Sequence, residues 1–179
     1  MTNPESSYRP ELALAVARYQ QLGFSFIPIF PPGSVGDGKR PALSEWTTYT
    51  QRLPLPAEVE KWFVLADPPL SIAVVTGDIS NIAVLDIDDE MSYEQIAPYL
   101  ADYPTMTVKT GKGYHLYYRP EGAKTGRTVT FTMNNKLHHI KRNPGIVIAP
   151  PSRHLNGKSY RFLNAELPRE MDMDKLISL

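Results

Sequence analysis

The sequence predicts an α+β fold: a mostly antiparallel sheet with helices on one side of it. Three observations point there. Helical spacing is confined to a few segments, nearly all in the first hundred residues. Seven to nine short runs rich in Val, Ile, Thr, Tyr and Phe have strand length. Beyond residue 104 these runs follow one another through tight turns, which favours antiparallel pairing. The whole of 1–179 reads as one domain.

The elements follow in chain order. Residues 11–23, ELALAVARYQQLG, carry apolar side chains at Leu12, Leu14, Ala15, Val16 and Tyr19, a helical pattern that Gly23 stops. FSFIPIF (24–30) is a strand whose pairing is limited by Pro28, Pro31 and Pro32. Residues 31–46 form a loop full of turn signals that presents Lys39 and Arg40 before Pro41. A second helix enters through Pro56 and turns Val59, Trp62 and Phe63 inward. SIAVVTG (71–77) and NIAVLDID (81–88) are strands joined by the turn DISN. Residues 92–103 suit a short helix with Ser92 as its cap. Strand-length runs then recur at 105–111, 113–120, 128–133, 137–141, 145–151 and 159–163, and the tail suits a last helical turn.

Composition narrows the function. The chain is 42% hydrophobic and 21% charged, the mix of an ordinary soluble globular protein. Nineteen basic residues balance nineteen acidic ones, so any nucleic-acid binding needs a local basic surface. The absence of cysteine removes disulfides, thiolate metal sites and a thiol nucleophile, and fits a reducing compartment. No apolar run approaches the ~20 residues of a membrane span, and the N-terminus lacks the marks of a secretory signal. A cytoplasmic location is expected. The 17 prolines predict stiff connections.

Four stretches carry chemistry. IAVLDIDDE (82–90) drives a strand into a block of acids. Asp86 and Asp88 are two apart, so on a strand they share a face, roughly 6–7 Å apart at the backbone. Something positive belongs between them, a basic side chain or a divalent metal. Such a pair either caps a surface turn or supplies oxygen ligands to Mg²⁺ or Mn²⁺ for displacement at phosphorus. TGKGYHLYYR (110–119) frames Lys112 with Gly111 and Gly113 after Thr110, and His115 follows on a strand. It reads as a plain hairpin or as an anion-binding turn. In LHHIKRNPGIVIAPPSRH (137–154), His139 and Lys141 share one strand face with Leu137, while His138 and Ile140 share the other. One histidine of the pair must therefore point away from any given site. The stiff APPS turn fixes Ser152 and His154. Either this is a basic hairpin or part of a site, and all four histidines of the chain lie between 115 and 154. Last, Lys39 and Arg40 stand on a Pro-braced loop, as solvated charges or as phosphate ligands.

Taken in order, KRPALSEW, IAVVTG…IAVLDID, PTMTVKTGKGYHLYY and GIVIAPPSRHLNGKSYRF resemble the N-terminal domain of bifunctional DNA primase/polymerases, in the archaeo-eukaryotic primase superfamily. The resemblance covers about residues 12–163. It implies an RRM-like sheet joined to an N-terminal α/β unit. It also implies template-dependent nucleotidyl transfer, primer synthesis or DNA polymerisation, in replication of a plasmid, phage or mobile element. Asp86 and Asp88 would be metal-binding carboxylates, with His115 as the third catalytic residue, on the triphosphate. Lys39, Arg40, Thr110, Gly111, Lys112, Gly113, Ser152 and His154 would form the nucleotide site. The cofactor would be Mg²⁺ or Mn²⁺, the partners nucleoside triphosphates and a single-stranded DNA template, with a helicase domain or protein as a further partner. Arg119, Lys124 and Arg127 are candidate template contacts.

One departure stands out. The family's third acid aligns with His139, and its following arginine with Lys141. A histidine there suits Mn²⁺ better than Mg²⁺, and two carboxylates hold a second divalent ion less well than three. The alternative is a degenerate primase-like module that binds nucleotide or single-stranded DNA without polymerising. A metal-dependent phosphohydrolase or nicking enzyme is a third reading, opposed by the two histidines lying on opposite faces. The chain ends soon after the last motif, as an excised domain of a longer primase–helicase would.

Overall fold

A computed structural model describes residues 4–121 and 126–178. Helix α1 spans Pro4–Gln21, followed by β1 (Phe26–Ile29), a 3₁₀ turn at Thr47–Thr50 and α2 (Pro56–Phe63). Strands β2 (Ser71–Thr76) and β3 (Ala83–Ile87) lead into α3 (Glu90–Leu100). Then come β4 (Met106–Lys109), β5 (Tyr114–Pro120), β6 (Val129–Met133), β7 (Lys136–Lys141) and β8 (Gly145–Ala149). Two short strands, β9 (Arg161–Phe162) and β10 (Arg169–Met171), precede α4 (Met173–Ser178). The expected α+β class holds. Helix α1 starts seven residues earlier than expected, and the elements not anticipated are the 3₁₀ turn and β10, a three-residue strand too short to carry readable alternation.

Two sheets result. The small one runs β1-β2-β8, antiparallel throughout. Pro28 sits in β1 at its edge, where a missing N–H costs no ladder bond, and its carbonyl accepts from Ala42. The large sheet runs β6-β7-β3-β5-β4-β9, with β10 parallel to β5 as the one exception to antiparallel pairing. Its central order β7-β3-β5-β4, with α3 crossing from β3 to β4, is the path of an RRM-like sheet.

Each face of the large sheet has its own core. Val84, Met106, Val108 and Tyr117 pack against the small sheet, α1 and α2, where Tyr19, Phe24 and Phe26 are fully buried. Ala83, Leu85, Ile87, Leu116 and Tyr118 pack on the other face, under α3 and α4. Burying one such aromatic or aliphatic side chain contributes about 1.5–3 kcal/mol, so both faces are firmly held.

Helix α2 buries Val59, Trp62 and Phe63, as its spacing predicts. Glu58 caps it by accepting from the Leu55 amide at 2.7 Å and pairs with Arg52 at 2.6 Å. Chiefly through Arg52, its pKa is held down at about 2, against 4.5 ordinarily. That depression contributes stability present above pH 4.5 and lost as pH falls toward 2. Glu58→Gln should therefore flatten the acid limb of a thermal-melt series over that window. An unchanged slope would show that the pair adds nothing.

Helix α3 corrects one expectation. Its cap is Asp89, not Ser92. The Asp89 carboxylate accepts from the Ser92 amide at 3.0 Å and from its hydroxyl at 2.8 Å, so Ser92 is the buried donor in the first turn. The Asp88–Asp89 pair offered the cap about one turn earlier than the serine did.

Candidate active site

Strand β3 explains why a strand ends in acids. Its even-numbered face is apolar at Ile82 and Val84, where the small sheet covers it. The same face becomes Asp86 and Asp88 where that cover stops. Both aspartates open into one cleft between the sheets, walled opposite by Ile146 of β8. The cleft has two lobes, of about 360 and 200 Å³, that share Lys39, Asp86, Asp88 and Lys141. Gly113 lets β5 close against the end of β3, for a Cβ there would lie 1.8 Å from the Ile87 carbonyl oxygen.

Register assembles the centre. Asp86 lies directly opposite His115 on β5 and directly opposite His139 on β7. Directly opposed side chains on one face have Cβ atoms ~5 Å apart, so both histidines flank Asp86, though only His115 comes within ion-pair distance of it. His115 Nε2 stands 3.2 Å from Asp86 Oδ1, and Lys141 Nζ stands 2.8 Å from Oδ2. Burial by itself would raise the Asp86 pKa, but the charges and hydrogen bonds of His115 and Lys141 overcome it. They hold the carboxyl well below the usual range, so it stays ionised. Asp88 is exposed and forms no ion pair among the described residues. Tyr160 closes the 200 Å³ lobe; burial, then the charges of Asp86 and Asp88, push its phenol up, so it remains a protonated donor.

The two adjacent histidines divide as their parity requires. His139 faces the cleft, with Nδ1 at 3.2 Å from Thr130 Oγ1. His138 is fully buried on the helix face, where Nδ1 accepts from the Asp88 amide at 3.1 Å and Nε2 reaches the Met133 carbonyl at 3.2 Å. It positions Asp88 from behind the sheet.

The remaining expected residues separate into three groups. Lys39, Lys112 and His154 reach the cleft. Thr110 lines it too, but its hydroxyl accepts from the Lys112 and Gly113 amides, so those two N–H groups serve the turn. Gly111 packs under the His154 ring, where a Cβ would come within 2.2 Å of ring carbon; both glycines are spacers. Ser152 and Arg40 stand away from the cleft lining. Ser152 is completely buried; its hydroxyl accepts from the Ile72 amide at 2.9 Å and donates to the Ile72 carbonyl at 3.0 Å, tying its turn to β2. Arg40 is exposed and borders neither lobe, whereas Lys39 borders both. Of the basic residues considered for template, Arg119 donates to the Leu22 and Asn81 carbonyls as a strut, Arg127 is exposed, and Lys124 lies outside the described residues.

Sequence reasoning missed Lys141, Tyr160 and His138 as members of the site. Strand parity placed Lys141 on the right face, but its reach to Asp86 depends on the register of β7 against β3.

The cleft is acidic at its floor and basic at its rim, with Asp86 and Asp88 beneath and the ammonium groups of Lys39 and Lys112 around them. That distribution suits a polyphosphate carrying a divalent cation. Among the described residues no three carboxylate or imidazole groups form a closed ligand set for a metal. The donors present fit an ion that arrives on a triphosphate, since Mg²⁺ is ordinarily held by one or two carboxylates plus substrate phosphates.

No described helix is long and apolar enough to cross a membrane. No curated protein matches the chain. The family model for the N-terminal domain of bifunctional DNA primase/polymerases matches residues 15–173. That match carries a primase/polymerase-type nucleotidyl-transfer role, with nucleotide and DNA substrates and, as is usual in the family, divalent metal ions. An RRM-like sheet bearing two aspartates and a histidine above one cleft, together with a family match over nearly its whole length, makes this chain a member of the bifunctional DNA primase/polymerase N-terminal family.

Proposed function

We propose that the protein extends or initiates a nucleic-acid strand on a single-stranded DNA template in the replication of a plasmid, phage or mobile element. The observation that carries this reading is the opening of Asp86 and Asp88 into one cleft rimmed by lysines. Lys39 and Lys112 hold the triphosphate at the rim. His115 keeps Asp86 ionised and oriented through its 3.2 Å contact, and Tyr160 offers a neutral hydroxyl at the wall. Asp88, and Asp86 behind it, would hold Mg²⁺ or Mn²⁺, which supplies charge stabilisation at the α-phosphate and lowers the pKa of the attacking 3′-hydroxyl. Pyrophosphate leaves toward the lysine rim. A template-extension assay with Mg²⁺ and Mn²⁺ in parallel tests the reading. Metal-dependent incorporation supports it, and binding of nucleotide without incorporation under either metal rejects it.

A non-polymerising nucleotide-binding or single-stranded-DNA-binding module is the second reading. What favours it is the Lys141 ammonium on Asp86, which neutralises one of the two acids.

Two further outcomes are expected. Asp88→Asn should weaken Mn²⁺ binding in the presence of nucleotide by about tenfold, the ~1.4 kcal/mol expected for loss of a directly ligating charge. Calorimetry that shows equal affinity would remove Asp88 from the site. His139→Asp should raise activity with Mg²⁺ relative to Mn²⁺, because a hard oxygen replaces a nitrogen donor opposite Asp86. An unaltered Mg²⁺ to Mn²⁺ ratio would mean that position 139 does not touch the ion.

A further inference from the structure

We propose that Lys141 is a built-in cation of the cleft, standing where a second divalent ion would otherwise bind, so that the protein works with a single metal ion held at Asp88. This rests on the polymerase reading above. Lys141 lies on β7 two residues beyond His139, opposite Val84, so its side chain reaches diagonally along the sheet face to Asp86. The ammonium meets Oδ2 at 2.8 Å while His115 takes Oδ1 at 3.2 Å, so each oxygen of Asp86 already has a partner, and an ion must share them. The lysine side chain is 29% exposed and borders both lobes, so its charge faces whatever the cleft binds.

Charge decides the count. The Lys141 ammonium offsets the Asp86 carboxylate, which leaves Asp88 as the acid without an ion-pair partner at the floor, among the described residues. One divalent ion riding on a triphosphate is matched to that charge. A second would meet the fixed ammonium at Asp86. The position directly across from Asp86, which could have supplied a further acid, is His139. Asp88 alone is open and without an ion pair among the described residues, and His138 fixes its backbone at 3.1 Å. One ion, ligated by Asp88 and phosphate oxygens, follows.

The test counts Mn²⁺ by electron paramagnetic resonance on an equimolar complex of protein and an α,β-imido nucleoside triphosphate, which cannot be cleaved at the α-phosphate. The wild-type complex should hold one Mn²⁺. Lys141→Met should hold two, and the Mn²⁺ dependence of incorporation by that variant should steepen from first to second order. Lys141→Gln, which removes the charge but keeps a polar side chain, should also hold two, which keeps the test decisive if the methionine variant does not fold, while Lys141→Arg should hold one. A wild-type complex with two ions, or a folded Lys141→Met complex with one, overturns the proposal. Two ions in an actively polymerising wild type would sink the lysine's role alone, whereas a protein that binds neither analogue nor Mn²⁺ would sink the polymerase reading with it.

Discussion

Asp86→Asn is expected to lower nucleotide incorporation by about 10³-fold, the order of effect when a charge that organises a phosphoryl-transfer site is removed. The loss has two sources. The carboxylate disappears from the floor of the cleft, and the ammonium of Lys141, 2.8 Å away, loses its counter-charge. That uncompensated charge then repels cation from Asp88. The side chain sits in the middle of the large sheet and is only 13% exposed, so the change also costs about 1–3 kcal/mol of stability, from cationic partners left facing a neutral amide. A thermal melt separates the two effects. The variant should remain folded at assay temperature with a modestly lowered Tm, and incorporation should still fall by orders of magnitude. Activity within tenfold of wild type, in a folded variant, would show that Asp86 is a sheet-building acid and no more. Asp86→Ala should abolish extension as well, with a larger fall in stability, because the shape is lost together with the charge.

Gly113→Ala should destabilise the protein by about 3–5 kcal/mol, among the larger effects of a single substitution. The added Cβ would stand 1.8 Å from the Ile87 carbonyl oxygen and 2.8 Å from the Asp89 amide nitrogen. Both are backbone atoms and cannot swing aside. Strand β5 would have to draw away from β3 by roughly 1.5 Å to restore van der Waals contact, which opens the ladder from Ile87↔Tyr114 onward. A chain of this size loses ~2–4 °C of Tm per kcal/mol, so a drop of about 10 °C is expected. Asp86↔His115 is the next pair along, so activity should fall too, even well below the melting temperature. Gly145→Ala is the comparison: its Cβ would find nothing closer than Thr76 Oγ1 at 3.5 Å, and its Tm should barely move. Equal melts for the two variants would show that β3 and β5 can separate at no cost.

The degree to which the chain announced itself varied by element. Helix α2 was legible because Val59, Trp62 and Phe63 repeat at helical spacing behind Pro56, and all three are buried as that spacing requires. Position 92 misled because serine and aspartate cap helices equally well; the three preceding aspartates competed for the role and Asp89 took it. Ser152 misled in another way. A hydroxyl after two prolines is as suited to a ligand as to a neighbouring backbone, and only the approach of β2 to that turn committed it to Ile72.

What the sequence by itself determined was periodicity: strands whose alternate residues share a face, an acid pair at one strand's end, and two adjacent histidines that had to part company. Those follow from the two-residue repeat of an extended chain and need no partner. Tertiary structure alone decided which residues met across strands. Register placed both His115 and His139 opposite Asp86, and brought Lys141 to the same carboxylate from a strand 55 positions later in the chain. Register is set by how two separate cores close on the two faces of one sheet, a balance among distant residues that no local pattern records.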